Sequence, residues 1–462
     1  MQTNDTLQSH LDTSDEIVYK TLSDAWINEA IVRKISESNN DPAWMLELRL
    51  KALGVYLAKP LPVWGPDLTG LDLDSIRYFA KAEMEGDRKS WEDVPDEIKR
   101  TFDRLGIPEA EKATLAGVGA QYDSEVVYHS LRQELQDRWV IFEDMSVAIK
   151  QHEDLVRKHF MKAIPVTDHK FAALHAAVWS GGTFLYVPKW VVIEDPLQAY
   201  FRMNVRAGGQ FEHTIIIIED EAQAHYIEGC SAPKYGTSSL HAGCVEIYVW
   251  KRSKMRYSSV ENWSIDTYNL NTKRAIVDDE GFIEWVGGNM GSGVTMLYPC
   301  SVLKGYRSSA THIGVALAAA WQNTDTGAKV IHIGAETTST VLSKSLSKWW
   351  GRATYRGLLL IKPSAIGSVA KIECDGLILD AYSKSDTFPD IRVENSSSTV
   401  AHEASAGKIS EEALFYMRSR GIDEEAAKTM IVNGFLSPVV RELPLEYAAE
   451  MNVLIAMEME KR

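Results

Sequence analysis

The sequence predicts a mainly β core flanked by helical regions at both ends, and three observations carry that prediction. From about residue 166 onward, short β-branched and aromatic runs follow one another, separated by Gly, Asn, Asp or Ser. Helical windows are nearly absent between residues 210 and 395. The segments before and after this stretch carry apolar residues at helical spacing behind plausible capping residues. The organisation expected is an N-terminal helical region over 1–165, a β core over 166–400 and a C-terminal helical region over 401–462.

At the N-terminal side, Ser23-Asp24 precede an amphipathic run through Val32 and Ile35. Asp41-Pro42 opens a second run, from Trp44 to Leu53, because proline fits a first helical turn whose N–H groups are unpaired anyway. Pro60–Thr69 reads as an extended linker, and helices are expected over Val126–Leu135 and Asp144–Met161. In the core, strands are expected at Thr183–Val187, Val191–Glu194, Thr214–Ile218, Ala224–Ile227 and Val245–Trp250. Further strands follow at Gly281–Val286, Val294–Tyr298, Lys329–Ile333, Tyr355–Ile361 and Leu377–Leu379. So many short strands imply a sandwich, barrel, propeller or β-helix. No fixed period stands out, which counts against a propeller. An irregular β-helix tolerates coils of unequal length, since each coil buries its face on its neighbours.

Near the C-terminus, Ser410-Glu411-Glu412 starts a helix that Arg420-Gly421 stops. Ile422-Asp423 starts another, ending at Asn433-Gly434, and Pro444 opens the last. Three short helices cannot bury a core of their own, so they should dock on the β domain or on a partner.

Composition excludes several classes. The chain has 462 residues, 45% apolar and 24% charged, an ordinary globular balance. With 64 acidic and 49 basic side chains the net charge is −15, which repels phosphate backbones and counts against nucleic-acid binding. No apolar run reaches the 18 or so residues of a membrane span. Met1-Gln2-Thr3-Asn4-Asp5 lacks the basic start and apolar stretch of a secretory leader, so a cytoplasmic location is expected. No nucleophile elbow, P-loop or dinucleotide fingerprint occurs, so neither ATP hydrolysis nor other enzyme activity is expected of this chain. Gly287–Gly293, rich in glycine, lies between strand runs and reads as a turn or coil corner.

Four cysteines occur, Cys230, Cys244, Cys300 and Cys374, too far apart in sequence for a compact zinc or ferredoxin-type knuckle. The common fate of such residues is a small buried apolar side chain. Two places nevertheless hold candidate soft ligands. In Glu228-Gly229-Cys230-Ser231-Ala232-Pro233 a thiol leaves a strand beside a turn. Cys374 ends the run Lys371-Ile372-Glu373-Cys374, and His402-Glu403 follow about one coil later. A thiolate, an imidazole and a carboxylate brought side by side suit iron or zinc. A purely structural role for each is the competing reading.

In order along the chain, GTFLYVPKWVVIEDPLQAYFRMN (182–204), GQFEHTIIIIED (209–220), EGCSAPKY (228–235), SSLHAGCVEIYVW (238–250), EWVGGNMGSGVTMLYP (284–299), DTGAKVIHIGAETTSTVLSKSLS (325–347), CDGLIL (374–379) and AHEA (401–404) are similar to the SufB/SufD family of the SUF iron–sulfur cluster assembly machinery, on its SufB side. Residues 54 to about 165 contribute little to the likeness. The resemblance implies a right-handed β-helix core with helical termini. It implies a complex with SufC, an ABC-type ATPase, and SufD, a paralogue of the same fold, or a second copy in its place. It also implies a cysteine desulfurase or sulfur carrier as donor, and a transient iron–sulfur cluster as cargo. Reduced flavin is conceivable for such a system but no motif supports it.

Residue by residue, the resemblance makes Cys374 the principal sulfur acceptor and cluster ligand, with Glu403 and His402 as further ligands. Cys230 matches the cysteine that first receives sulfur as persulfide, and Arg202, Asn204, Trp263 and Lys273 match residues of an internal sulfur route. An Arg or Lys beside that route is expected to lower a thiol's pKa. The helices between Ser410 and Tyr447 match the docking region for the ATPase. Where some relatives carry Gln in the route this chain has Glu261, a charge expected to hinder persulfide movement, and Trp349-Trp350 replace residues that are usually small. Two readings follow: a scaffold that accepts sulfur and holds a nascent cluster, or a SufD-like structural subunit that does not hold one.

Overall fold

The structure is a computed structural model that describes residues 18–82, 115–441 and 455. Its centre is a β-solenoid of about eight turns. One wall is a ladder of long parallel strands in chain order: Leu197–Arg202, Gln223–Ser231, Lys254–Asn262, Phe282–Met290, Ser309–Ala318, Thr338–Ser347, Val369–Ile378 and Thr399–Lys408. From the second onward they begin 27 to 31 residues apart, which is why no fixed period shows in the sequence. The rest of each coil is a very short strand followed by a longer one, such as Ser239–His241 and Cys244–Val249, and both rows merge on Arg352–Ile361.

Side chains alternate across a strand, so residues in register stack into columns along the solenoid axis. One inward column is Glu228, Ser259, Gly287, Gly314, Ser343, Cys374 and Ala404. A second runs through Cys230, Glu261, Asn289, Ala316, Ser345 and Gly376. Ile215–Ile218 shows why some strands carry no alternation. Ile216 and Ile218 pack into the solenoid core while Ile215 and Ile217 pack under the N-terminal helices, and all four are fully buried. Burying an isoleucine stabilises by about 2–3 kcal/mol, so both faces favour the run.

Helices Glu29–Asn39 and Ala43–Ala58 lie against Lys170–Val178 over this outer face. The first starts later than Ser23: its cap is Asn28, whose Oδ1 accepts from Ile31 N at 3.0 Å, while Tyr19–Leu22 is a strand. The region 1–165 is not wholly helical. Glu125–Leu131 is a strand, antiparallel to Gly117–Tyr122, because its β-branched residues can extend the ladder at the first coil. The run expected over Asp144–Met161 is two helices, Met145–Gln151 and Glu153–His159, broken at His152. Val191–Glu194 contributes one isolated bridge at Val192, not a strand. The last long strand runs past residue 400, to Lys408.

Gly287 and Gly288 sit inside the strand Phe282–Met290, so only the end of the glycine-rich stretch is a corner. Helix Glu411–Ser419 begins at the expected Ser410 cap. Glu424–Val440 continues through Asn433-Gly434 and contains Pro438. Packing overrides the local breakers: Val432, Leu436 and Val439 are buried in one cluster with Ile227, Val260 and Val286 on the outer face of the long wall. The helix expected from Pro444 lies outside the described residues, Ile455 apart.

Candidate functional site

Two thiols face the interior, five coils apart. Cys230 stands on Gln223–Ser231 and is 1% exposed; Cys374 stands on Val369–Ile378 and is 2% exposed. Cys244 and Cys300 are also buried and free.

The surroundings of Cys230 are ionic. Its Sγ donates toward Glu228 Oε1 at 3.8 Å, two residues earlier on the same face of the strand. Lys273 Nζ donates to Glu228 Oε1 at 3.1 Å and to Glu261 Oε1 at 2.8 Å. The other Glu261 oxygen accepts from Asn269 Nδ2, Asn269 Oδ1 faces His241 Nδ1 at 2.9 Å, and His241 Nε2 meets Glu212 Oε1 at 2.5 Å. Both imidazole nitrogens thus face oxygens, so His241 is doubly protonated. Burial disfavours that charge, but Glu212 outweighs it and the pKa is raised.

Glu261 therefore carries no bare charge. Burial would raise its pKa, yet Lys273 and His241 overcome this and hold it below the usual carboxylate range. Cys230 is the opposite of what a neighbouring lysine leads one to expect. Burial first, then Glu228, Glu261 and Glu212, push the thiol well up, and Lys273 only partly offsets them. The resting thiol is protonated.

Trp263 joins this chamber, its ring 4.3 Å from the His241 ring. Arg202 and Asn204 do not. Arg202 is in register with Ser231, on the face of the wall opposite Cys230, and its Nη1 donates to Ser231 Oγ at 3.1 Å. Asn204 follows that strand, its backbone N–H donating to Asp123 Oδ1 at 2.6 Å and its carbonyl accepting from the Tyr235 hydroxyl.

The surroundings of Cys374 are apolar. Ile372 and Gly376 flank it on the inner face, and the Tyr355 side chain is its polar neighbour without making a hydrogen bond of ordinary geometry. Burial pushes the thiol up to about 12, with Tyr355 lowering it and the outward Asp375 and Glu373 raising it. Those carboxylates pair with Lys344 on the outside.

His402 is in register with Ile372 and so shares the inner face with Cys374, one strand over and two residues back. Glu403 is in register with Glu373 and projects outward. His402 and Glu403 are both exposed, because Thr399–Lys408 is the last strand of its wall. The expected trio meets at one edge with its members on two faces. Among the described residues no three His, Cys, Asp or Glu side chains converge as a metal site.

Between the thiols the inner column narrows to Ser259, Gly287, Gly314 and Ser343. A cavity of about 70 Å³ lies there, bordered by Lys273 at the Cys230 end and by Tyr355 at the Cys374 end. Such a volume has room for several waters. Because its wall is bare backbone at the glycines, the outward Val286 and Ile313 border it too. Neither glycine is there for its backbone: φ is not positive, and a Cβ at Gly314 would meet nothing within 4 Å. Glycine weakens a strand by about 0.5–1 kcal/mol relative to alanine, so the space it leaves open is the distinctive feature.

Sequence reasoning did not assign Glu228, Glu212, His241, Asn269 or Tyr355. The period of two puts Glu228 beside Cys230 and was a usable signal. The others come from different strands, and only the register of the coils brings them in.

Comparison with known proteins agrees with this arrangement. The model of the SUF system FeS cluster assembly SufBD core domain matches residues 201–435, and that of the SufBD protein N-terminal region matches residues 107–199. A Bacillus subtilis (strain 168) protein described as iron–sulfur cluster assembly protein SufB is 50% identical over 438 residues, covering 95% of this chain and 94% of its own. An iron–sulfur cluster assembly SufBD family protein of Staphylococcus aureus (strain MRSA252) is 51% identical over the same length and shares of the two chains. With both family models in sequence along one solenoid and relatives alike from end to end, the chain belongs to the SufB/SufD family of iron–sulfur cluster assembly proteins.

Proposed function

We propose that this chain is the cluster-building scaffold of a SUF complex: sulfur is taken up as a persulfide on Cys230, passes through the solenoid, and is joined with iron at Cys374. The observation that carries the reading is the cavity joining Lys273, beside Glu228 and Cys230, to Tyr355, beside Cys374. A narrow passage lined by Ser259, Gly287, Gly314 and Ser343 together with Tyr257, Trp285 and His312 has room for a small polarisable sulfur species. Iron ligation at Cys374 would draw on His402 from the same face, and on Glu403 once the last strand rearranges or a partner covers it. A sparse ligand set at an edge suits cargo that must leave.

The partners fit the exposed surfaces. Lys384–Val393 and Thr399–Lys408 are long, exposed edge strands at the solenoid end, and an unprotected edge invites a further strand. A SufD-like paralogue or a second copy would occupy it. Phe415, Tyr416 and Met430 stand exposed on the C-terminal helices, a surface for a SufC-like ATPase that would supply ATP hydrolysis to the complex. Sulfur would come from a cysteine desulfurase or its carrier. No described helix is long and apolar enough to cross a membrane, in keeping with a cytoplasmic site of action.

Anaerobic reconstitution of the full complex with iron and sulfide tests the reading. A visible-absorbing cluster is expected, and Cys374→Ala should remove most of it. Undiminished cluster in that variant would assign the chain the structural-partner role instead.

A further inference from the structure

We propose that Glu228 is the base that takes the proton from Cys230 as sulfur is loaded, and that Lys273 positions its carboxylate. The inference rests on the reading of Cys230 as the persulfide acceptor and adds the residue that makes uptake possible.

The need for a base follows from the chamber. A thiol attacks sulfur only as thiolate, and this one lies out of water among carboxylates, so it rests protonated. The proton must go to a group already in contact. Glu228 Oε1, 3.8 Å from Sγ, is that group. The other two carboxylates of the chamber make no hydrogen bond with Sγ. Glu261 uses one oxygen on Lys273 and the other on Asn269, and Glu212 Oε1 is held by His241. Glu228 Oε2 and Glu212 Oε2 are both buried with no hydrogen-bond partner, but of these two carboxylates only Glu228 lies against Sγ, so it combines contact with the thiol and an open site for a proton.

Lys273 Nζ, bridging Glu228 and Glu261, fixes the carboxylate beside the thiol. Its own side chain is 1% exposed, so the bridge is dry and held in one geometry. The titratable and charged groups facing Glu228 are Cys230 and Tyr226 on its own strand, Tyr257 and Glu261 on the next, and Lys273 across the interior. Of these Cys230 alone offers a proton that the sulfur chemistry must remove.

The step balances without an outside oxidant. Glu228 takes the Cys230 proton, and the thiolate attacks the terminal sulfur of a persulfide or polysulfide donor. One S–S bond forms on Cys230 while the donor's S–S bond breaks. The departing donor sulfur leaves as thiolate and receives the proton back from Glu228. The sulfane sulfur keeps its oxidation state.

The test is the rate of Cys230 persulfide formation in the full-length chain treated anaerobically with inorganic polysulfide, read by mass spectrometry between pH 6 and 9. Glu228→Gln should slow loading at neutral pH about 100-fold, in the range of a lost general base, and recover as rising pH supplies thiolate directly. A structural role for Glu228 would not produce that recovery. Glu228→Asp keeps the charge but withdraws the oxygen by one methylene, so an intermediate rate is expected even if the glutamine variant folds poorly. Parental rates across the pH range in either variant would overturn the proposal while leaving Cys230 as acceptor. A parental protein that takes no persulfide at Cys230 would overturn the acceptor reading and the base together.

Discussion

The two thiols occupy the same wall of the same solenoid and live in opposite chemical settings. Cys230 sits in an ionic chamber where three carboxylates, a lysine and a charged histidine pair with one another away from water. Cys374 sits against Tyr355, Ile372 and Gly376, one strand from an exposed edge, with its nearby carboxylates on the outer face. The first setting can accept and relocate a proton. The second lies one strand from the edge at which the proposed cluster would be built. The difference teaches that a uniform coil does not make uniform sites, since single residues at register positions decide what each turn can do.

The largest expected effect lies in the ionic chamber. Lys273→Met leaves two buried carboxylates without their cation, and breaking such a pair costs about 3–5 kcal/mol. A large fall in melting temperature is expected. If Lys273→Met melts like the parent, the chamber is not held by charge and the contrast fails.

A smaller effect belongs to two buried histidines, of which His312 lines the cavity between the thiols. Burial holds His312 down to about 3 and His332 to about 4, against an ordinary value near 6.5. As pH falls below that ordinary value the unfolded chain takes up protons that the folded one refuses. The stability these two buried imidazoles contribute is therefore complete above about pH 6.5 and is lost as pH falls toward 4. His312→Leu should spare roughly 2 kcal/mol of that loss by pH 4.5, measured by denaturant melts at several pH values. An identical slope in the variant would place His312 in contact with water.

The smallest structural effect is expected at the other thiol. Cys374→Ala removes one sulfur from an apolar wall beside a cavity and should cost only about 1 kcal/mol, while its cluster content collapses. A stability loss as large as that of Lys273→Met would mean Cys374 is a packing residue.

Much of this was legible in the sequence. The strand texture after residue 166 gave the β core, and Cys230, Cys374 and His402-Glu403 marked both ends of the candidate site. Val126–Leu131 misled because a short apolar run fits either helix or strand until its partner at Gly117–Tyr122 is known. Gly287 misled because glycine between strand runs ordinarily marks a corner, whereas here it leaves space inside a strand. Arg202 was placed on the route by likeness alone, and the period of two along Leu197–Arg202 puts it on the other face. The pairing of Glu261 with Lys273 was beyond reach, since it depends on two different walls meeting across the interior.

The central claim is that sulfur travels inside the solenoid from Cys230 to Cys374, and a labelled-sulfur chase tests it directly. Label should appear on Cys230 first and on Cys374 afterwards. Gly314→Leu, whose Cβ would meet no neighbour within 4 Å and whose remaining atoms would enter the open space, should leave the first signal intact and suppress the second at least tenfold. Label reaching Cys374 at the parental rate in that variant, or in Cys230→Ala, would contradict the account.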